Sequence, residues 1–391
     1  MAALCACAAA WALAAWLLWR TSVVPGGLSL PDVAPTRELG ADVLARAERF
    51  DRVLRWNLVA SQLALLAVVL VYARRGARFA RESAAGPIGT GMLLGMLGLG
   101  LVWLAQLPFQ LLSHWWQRRY GVAKGGYVEA LAENWAALGG AFLFICLALL
   151  IVMGLARRLG GRWWLAGAPV FVALAVLFTF VQPYLVAEAQ PLRDPALRRT
   201  IDADAREQGL GHVPVLVQQV SDLTSAPNAF VAGLGPSRRV VLWDTLLDGR
   251  FADPEVRVVV AHELGHLSRR HIPKGLAWYA LFALPGAWAI ARATRRRGGM
   301  GEPAAVPLGL LVLVVLQLAA LPLENAVSRH LEAEADWVAL TTTDDPSSAE
   351  ALFEQFTRIS LNDPSPPTWA YVLFSTHPTV EQRIAMARAF R

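Results

Sequence analysis

Charge is what this sequence has little of: Asp, Glu, Lys and Arg make up 17% of its 391 residues, against 55% apolar residues and a mean hydropathy of +0.42. Soluble domains of this length carry about a quarter charged residues, so an ordinary water-soluble globular protein is excluded and a membrane is the natural solvent. Cysteine is scarce too. Cys5, Cys7 and Cys146 all lie inside apolar stretches, with no CxxC pair, which excludes a disulfide framework and a cysteine-based metal site. There is no repeat at a solenoid period and no low-complexity segment. The formal charge of +6 and the pI near 9.6 would suit a polyanion, but the arginines cluster beside apolar runs, as in RRGAR from Arg74 and TRRRGG from Thr294. That is the pattern of membrane topology, and no nucleic-acid partner is expected.

What is present is length of apolar sequence. A bilayer-crossing helix needs about 20 mostly apolar residues, and windows near 3–19, 57–73, 88–112, 136–156, 164–187, 275–291 and 304–323 supply or nearly supply them. The first window lacks the charged start and small-residue cleavage site of a signal peptide, so it reads as an anchor. The sixth contains Pro285 and Gly286, which membrane helices tolerate. Between the fifth and sixth windows lies one long polar insertion, 188–274, and a polar tail follows at 324–391. Within the insertion, 196–210 and 253–271 read as helices and 213–220, 228–234 and 238–247 as strands. Asp253 is expected to cap the second helix, with Pro254 in its first turn.

That second helix carries HELGH. Residues four apart share a helical face, so His262 and His266 can offer two imidazoles to one Zn²⁺ while Glu263 stands beside the open coordination position. There Glu263 can take a proton from the attacking water and pass it to the leaving amine. A hydrolytic zinc site needs a third protein ligand, and SRHLEAEADWVAL in the tail offers His330, Glu332, Glu334 and Asp336. Glu332 and Asp336 are four apart on one face, so the first can bind metal and the second can accept a hydrogen bond from a ligand histidine. Glu334 points roughly opposite and is expected to be solvated. His377, in FSTHPTVEQR, is placed to donate to the oxyanion of a tetrahedral intermediate. His114, His212 and His271, the last lying off the metal face, are expected to be ordinary.

With those motifs in hand, the chain resembles the type I CAAX prenyl endopeptidases and their bacterial membrane relatives, zinc metalloproteases with seven spans. The resemblance rests on HELGH, SRHLEAEAD, STHP, NAFVAG at Asn228–Gly233 and RVVLWDTLL at Arg239–Leu247. It extends to LPFQLLSHWWQRRYGVAKGG at Leu107 and FVQPYLVAEAQPL at Phe180. It implies that His262, His266 and Glu332 hold one Zn²⁺ per chain, that Glu263 is the general base and that Asp336 supports a ligand histidine. It further implies that His377 contacts substrate or oxyanion, and that Asn228 and Ala229 lie on an edge strand pairing with extended substrate. Family members are described as enclosing a water-filled chamber. The small residues of GTGMLLGMLGLG would suit one, although such spacing more commonly marks helix packing.

The expected fold is thus a mainly α membrane protein of about seven transmembrane helices with a small α+β, gluzincin-like zinc protease domain. Its expected divisions are 1–187, 188–274, 275–323 and 324–391, with the two polar pieces meeting to build the site. The expected function is an integral-membrane zinc endopeptidase acting on membrane-associated or unfolded polypeptides, in contact with membrane lipid, in a bacterial cell membrane. CAAX-type processing is its narrower version. A catalytically silent scaffold or transporter has no reason to keep His262, Glu263, His266, Glu332 and His377 together, and a ligand-gated sensor would need a further domain. The loops after spans two, four and six carry Arg74, Arg75, Arg78 and Arg81, then Arg157, Arg158 and Arg162, then Arg292 and Arg295–Arg297. Positive charge facing the cytoplasm would leave the zinc domain outside, whereas the eukaryotic relatives are held to face the other way.

Overall fold

The computed structural model describes residues 2–20, 22–81, 85–186 and 189–390, with side chains described from residue 9 onward; the side chains of Cys5 and Cys7 therefore lie outside the described residues. The chain runs α1 (Ala2–Trp19), α2 (Pro35–Leu39), α3 (Ala41–Arg75), α4 (Gly86–Arg119), α5 (Tyr127–Leu159), α6 (Trp164–Val181), β1 (Ala189–Pro191) and α7 (Pro195–Glu207). It continues through β2 (Val215–Gln218), β3 (Ala229–Ala232), β4 (Arg239–Trp243), α8 (Asp253–Ser268), α9 (His271–Thr294), α10 (Val306–Thr343), α11 (Pro346–Ser360), α12 (Thr368–Phe374) and α13 (Val380–Phe390).

Six helical stretches among the described residues are long and apolar enough to cross a membrane: Ala41–Ala80, Gly86–Arg119, Tyr127–Arg162, Trp164–Tyr184, His271–Arg297 and Pro303–Thr343. α1 runs for 18 residues, Ala2–Trp19, within the range of about 17–25 that can cross a bilayer, with its described side chains beginning at Ala9. The seven expected spans are thus six long apolar helices among the described residues and the 18-residue α1. That helix is docked, because Trp11 Nε1 donates to the Leu281 carbonyl of α9 at 2.9 Å and Trp19 stacks on His330 of α10 with ring centroids 4.3 Å apart. In the most apolar windows of the six spans only 11–28% of residues are buried by protein, as expected of helices that meet lipid. Gly91, Gly95 and Gly98 of α4 are the exception. A Cβ there would lie 2.2 Å from Met153 Sδ, 2.5 Å from Leu149 Cδ1 and 2.8 Å from Leu310 Cδ1 respectively. The small-residue spacing thus serves close helix packing at those positions.

The insertion and the tail fold together. One apolar core takes Val240 and Leu242 from β4, Val256, Val260 and Leu264 from α8, Leu340 from α10, Leu352 from α11 and Ile384 from α13. The N-terminal segment contributes Val33, a partner that hydropathy does not signal. The sheet order is β1-β2-β4-β3, with β2 and β4 parallel and both outer pairs antiparallel. Sequence reading found three strands and missed the three-residue β1, too short for an alternation to show.

Three local departures matter for the site. Asp253 is the first helical residue of α8 rather than its cap; the Ala252 N–H, one position earlier, donates to Glu255 Oε2 at 2.7 Å. The helix expected to run through His271 instead ends at Ser268, and Arg270 adopts a left-handed conformation (φ 56°, ψ 42°) before α9 starts. The expected boundary between 323 and 324 falls inside α10, which carries one continuous backbone from the apolar span to SRHLEAEAD.

Candidate active site

α8 and α10 can lie close because residue 265 is glycine. A Cβ there would sit 3.3 Å from Val338 Cβ and 3.4 Å from the Ala335 Cα. Across that contact the imidazoles of α8 meet the carboxylates of α10. The Nε2 atoms of His262 and His266 are 3.0 Å apart. Glu332 Oε2 is 3.2 Å from His262 Nε2, and Glu332 Oε1 is 3.6 Å from His266 Nε2. One ligand atom from each of the three residues falls within 4.8 Å of the others. Two imidazoles and a carboxylate form a donor set suited to zinc. The buried Glu332 Oε2 makes no hydrogen bond of good geometry, although His377 Nε2 also lies 3.2 Å from it. The carboxylates of Glu332 and Asp336 lie 3.2 and 2.8 Å from the two ring nitrogens of His262, so the pocket around it is electronegative. The residues therefore fit a cation.

Asp336 Oδ1 lies 2.8 Å from His262 Nδ1, the ring nitrogen opposite the one that faces Glu332. Asp336 is itself held by Arg383, whose Nε and Nη2 donate to its two oxygens at 2.9 and 2.6 Å. Arg383 was not singled out from the sequence, although it closes the run FSTHPTVEQR; an arginine six residues past a histidine carries no periodic signal. Glu263 is buried, and burial pushes its carboxyl above the ordinary glutamate range, against the opposing pull of His266 and His262.

A cavity of about 90 Å³ lies beside these groups, and Asn228, Ala229, His262, Glu263, His377 and Arg383 are among its lining residues. β3 is an edge strand among the described residues. The Trp243 N–H donates to the Asn228 carbonyl at 2.9 Å, and Ala229 faces Leu242 in the register. Antiparallel alternation then turns the backbone groups of Ala229 and Val231 to the open side. His377 is half-exposed at the mouth of the cleft.

Two expectations are overturned. Glu334 is not solvated but fully buried, holding Arg269 Nε at 2.6 Å, His271 Nε2 at 3.0 Å and Lys274 Nζ at 3.1 Å. His271 does lie off the metal face, but it is not an isolated residue: its Nδ1 lies 2.9 Å from His266 Nδ1, the nitrogen turned away from the donor cluster. Both errors have one cause: the turn at Arg270 folds α9 back toward α10, which helical phasing through residue 271 does not foresee. The remaining histidines are structural. His330 Nε2 contacts the Trp19 carbonyl at 2.8 Å, His114 Nε2 contacts that of Gly125 at 3.2 Å, and His212 sits exposed beside Arg198.

The model of peptidase family M48 matches residues 191–391. An uncharacterized metalloprotease, YhfN of Bacillus subtilis, is 31% identical over 260 residues, which cover 63% of this chain and 61% of YhfN. A protease HtpX homolog of Ralstonia pickettii is 28% identical over 264 residues, covering 61% of this chain and 90% of the homolog. The crystal structure of Ste24p from S. mikatae superposes with a TM-score of 0.78 over 98% of this chain and 96% of that one, at 19% identity, a likeness of fold. With the matched region spanning more than half of its length and bearing every residue of the His–His–Glu cluster, this multi-pass membrane protein belongs to peptidase family M48.

Proposed function

We propose that this chain is a zinc-dependent endopeptidase that hydrolyses membrane-associated or unfolded polypeptides, with His262, His266 and Glu332 holding one zinc per chain. The observation that carries this reading is convergence. Two imidazoles and a carboxylate from separate helices meet beside a buried glutamate, in a cleft floored by an open strand edge. Zinc bound there would supply a Lewis acid that polarises a peptide carbonyl and lowers the pKa of water. The chain's own groups do the rest. Glu263, raised toward the range of a useful base by burial, takes a proton from the attacking water and returns it to the leaving amine. His377, at the cleft mouth, donates a hydrogen bond to the carbonyl oxygen as charge develops on it. Asp336, clamped by Arg383, accepts a hydrogen bond from the Nδ1–H of His262 and so leaves Nε2 as the nitrogen that would hold the metal. The open edge of β3, which Asn228 leads into and where Ala229 and Val231 turn outward, pairs with substrate backbone, which favours extended chain over particular side chains.

General endopeptidase activity is the better-supported reading, because an open strand edge recognises any extended backbone. The test is zinc content and peptide cleavage by the purified protein beside a Glu263→Gln variant. The variant is expected to keep about one zinc per chain and to lose about 10²–10⁴-fold in rate. Equal cleavage by both would remove Glu263 from the reaction.

A further inference from the structure

We infer that His271 and Glu334 are positioning residues for the metal site, joined to His266 in a buried file that decides which of its nitrogens carries the proton. The inference rests on the zinc reading above and adds a device to it. Glu334 is fully buried and receives three contacts from donor-bearing side chains, Arg269, His271 and Lys274, at 2.6, 3.0 and 3.1 Å. With two cations on it, that carboxylate is ionised and can only accept. His271 Nε2 must therefore donate to it.

His271 is buried beside Lys274 on the same carboxylate, where a further positive charge is disfavoured, so its imidazole is neutral with one N–H, and that N–H is committed to Glu334. Its Nδ1 then presents a lone pair to His266 Nδ1, 2.9 Å away, and His266 must donate across that contact. The single proton of His266 is thereby fixed on Nδ1. Its Nε2 keeps a lone pair, and this is the nitrogen that lies 3.0 Å from His262 Nε2 and 3.6 Å from Glu332 Oε1, inside the donor cluster. Reversing the file would put a hydrogen on His266 Nε2 and block that atom as a ligand. His262 has the same device in shorter form, with Asp336 directly on its Nδ1. The left-handed turn at Arg270 is what makes the longer form possible. It brings the first residue of α9 back onto the last turn of α8, and Lys274 follows one helical turn later to share the carboxylate.

The full-length protein in detergent provides the test. Zinc affinity is measured by competition against a fluorescent chelator, and the Co²⁺-loaded protein is compared by visible absorption. His271→Leu removes the acceptor and is expected to weaken zinc binding about 10–100-fold and to alter the cobalt spectrum. His271→Asn offers an amide oxygen close to where Nδ1 stands; it should recover most of the affinity and the wild-type spectrum. A role in packing alone would not distinguish the two variants in this way, and thermal melts of both report any shared loss of stability. Wild-type affinity in His271→Leu, or no recovery in His271→Asn, would overturn the inference while leaving the zinc reading intact. A wild-type protein that takes up no zinc would instead overturn the zinc reading itself.

Discussion

The two glutamates of SRHLEAEAD sit two positions apart and have opposite tasks. Glu332 turns one oxygen, free of any well-formed hydrogen bond, toward His262, whereas every contact of Glu334 is with a cation or an N–H on the α9 side. Removing them therefore separates binding from support. Glu332→Ala is expected to abolish stoichiometric zinc, measured by metal analysis after dialysis. Glu334→Ala should retain zinc with weaker affinity but lose stability in a chemical melt, because Lys274 and Arg269 are left beside a void in place of the carboxylate that paired them; breaking a fully buried pair costs about 3–5 kcal/mol, and less here, where Arg269 is partly exposed. If the two variants exchanged these outcomes, the ligand would be Glu334.

At the scale of elements, the site depends on how near α8 and α10 come. Gly265 is a point of close approach, with Val338 and Ala335 directly against it, so the absent side chain lets the helices come this near. Gly265→Val should push the two apart. Overpacking of this kind typically costs about 1–3 kcal/mol, and a displacement of even a few tenths of an ångström at residue 265 is carried to His262, His266 and Glu332. We expect a lowered melting temperature together with lost zinc affinity. A variant that melts earlier but binds zinc like the wild type would show that the donor cluster tolerates helix separation. The neighbouring clamp of α7 on α8, in which Arg257 donates to the buried Asp204 at 2.8 Å, holds the other flank of α8.

For the whole molecule, α10 is the element that relates chemistry to membrane. Glu332 lies 26 residues beyond Val306, the start of α10 (332 minus 306), which is about 40 Å along a helix. The start of α10 is also where the basic loops gather. Arg157 donates to the Gly301 carbonyl, and a Cβ on Gly161 would lie 3.7 Å from Arg295, so the loops after the fourth and sixth windows meet at one end of the bundle, opposite the site. If that arginine-rich end faces the cytoplasm, as the charge rule holds, the site opens on the outer face. A cysteine placed at Asp222, exposed in the loop between β2 and β3 of the site-bearing sheet, in a chain whose three native cysteines are replaced by serine, should then react with a membrane-impermeant thiol reagent in intact cells. Labelling only after lysis would place the site on the cytoplasmic side.

Periodicity and spacing alone determined that apolar helices alternate with two polar pieces, that His262 and His266 share a face and that Glu332 and Asp336 share another. These are properties of one helix at a time, set by a rise and a repeat that the chain cannot avoid. Strands β2, β3 and β4 were legible for the same reason. What only the tertiary structure decided is what crosses from one element to another: Arg383 on Asp336, Val33 in the core of a domain more than 150 residues away, the open edge of β3, and the direction taken at Arg270. That last choice reassigned both His271 and Glu334, since one left-handed residue rotates everything after it. The motif was visible in the sequence; the partners that aim its second histidine depend on a turn whose conformation no local propensity of arginine dictates.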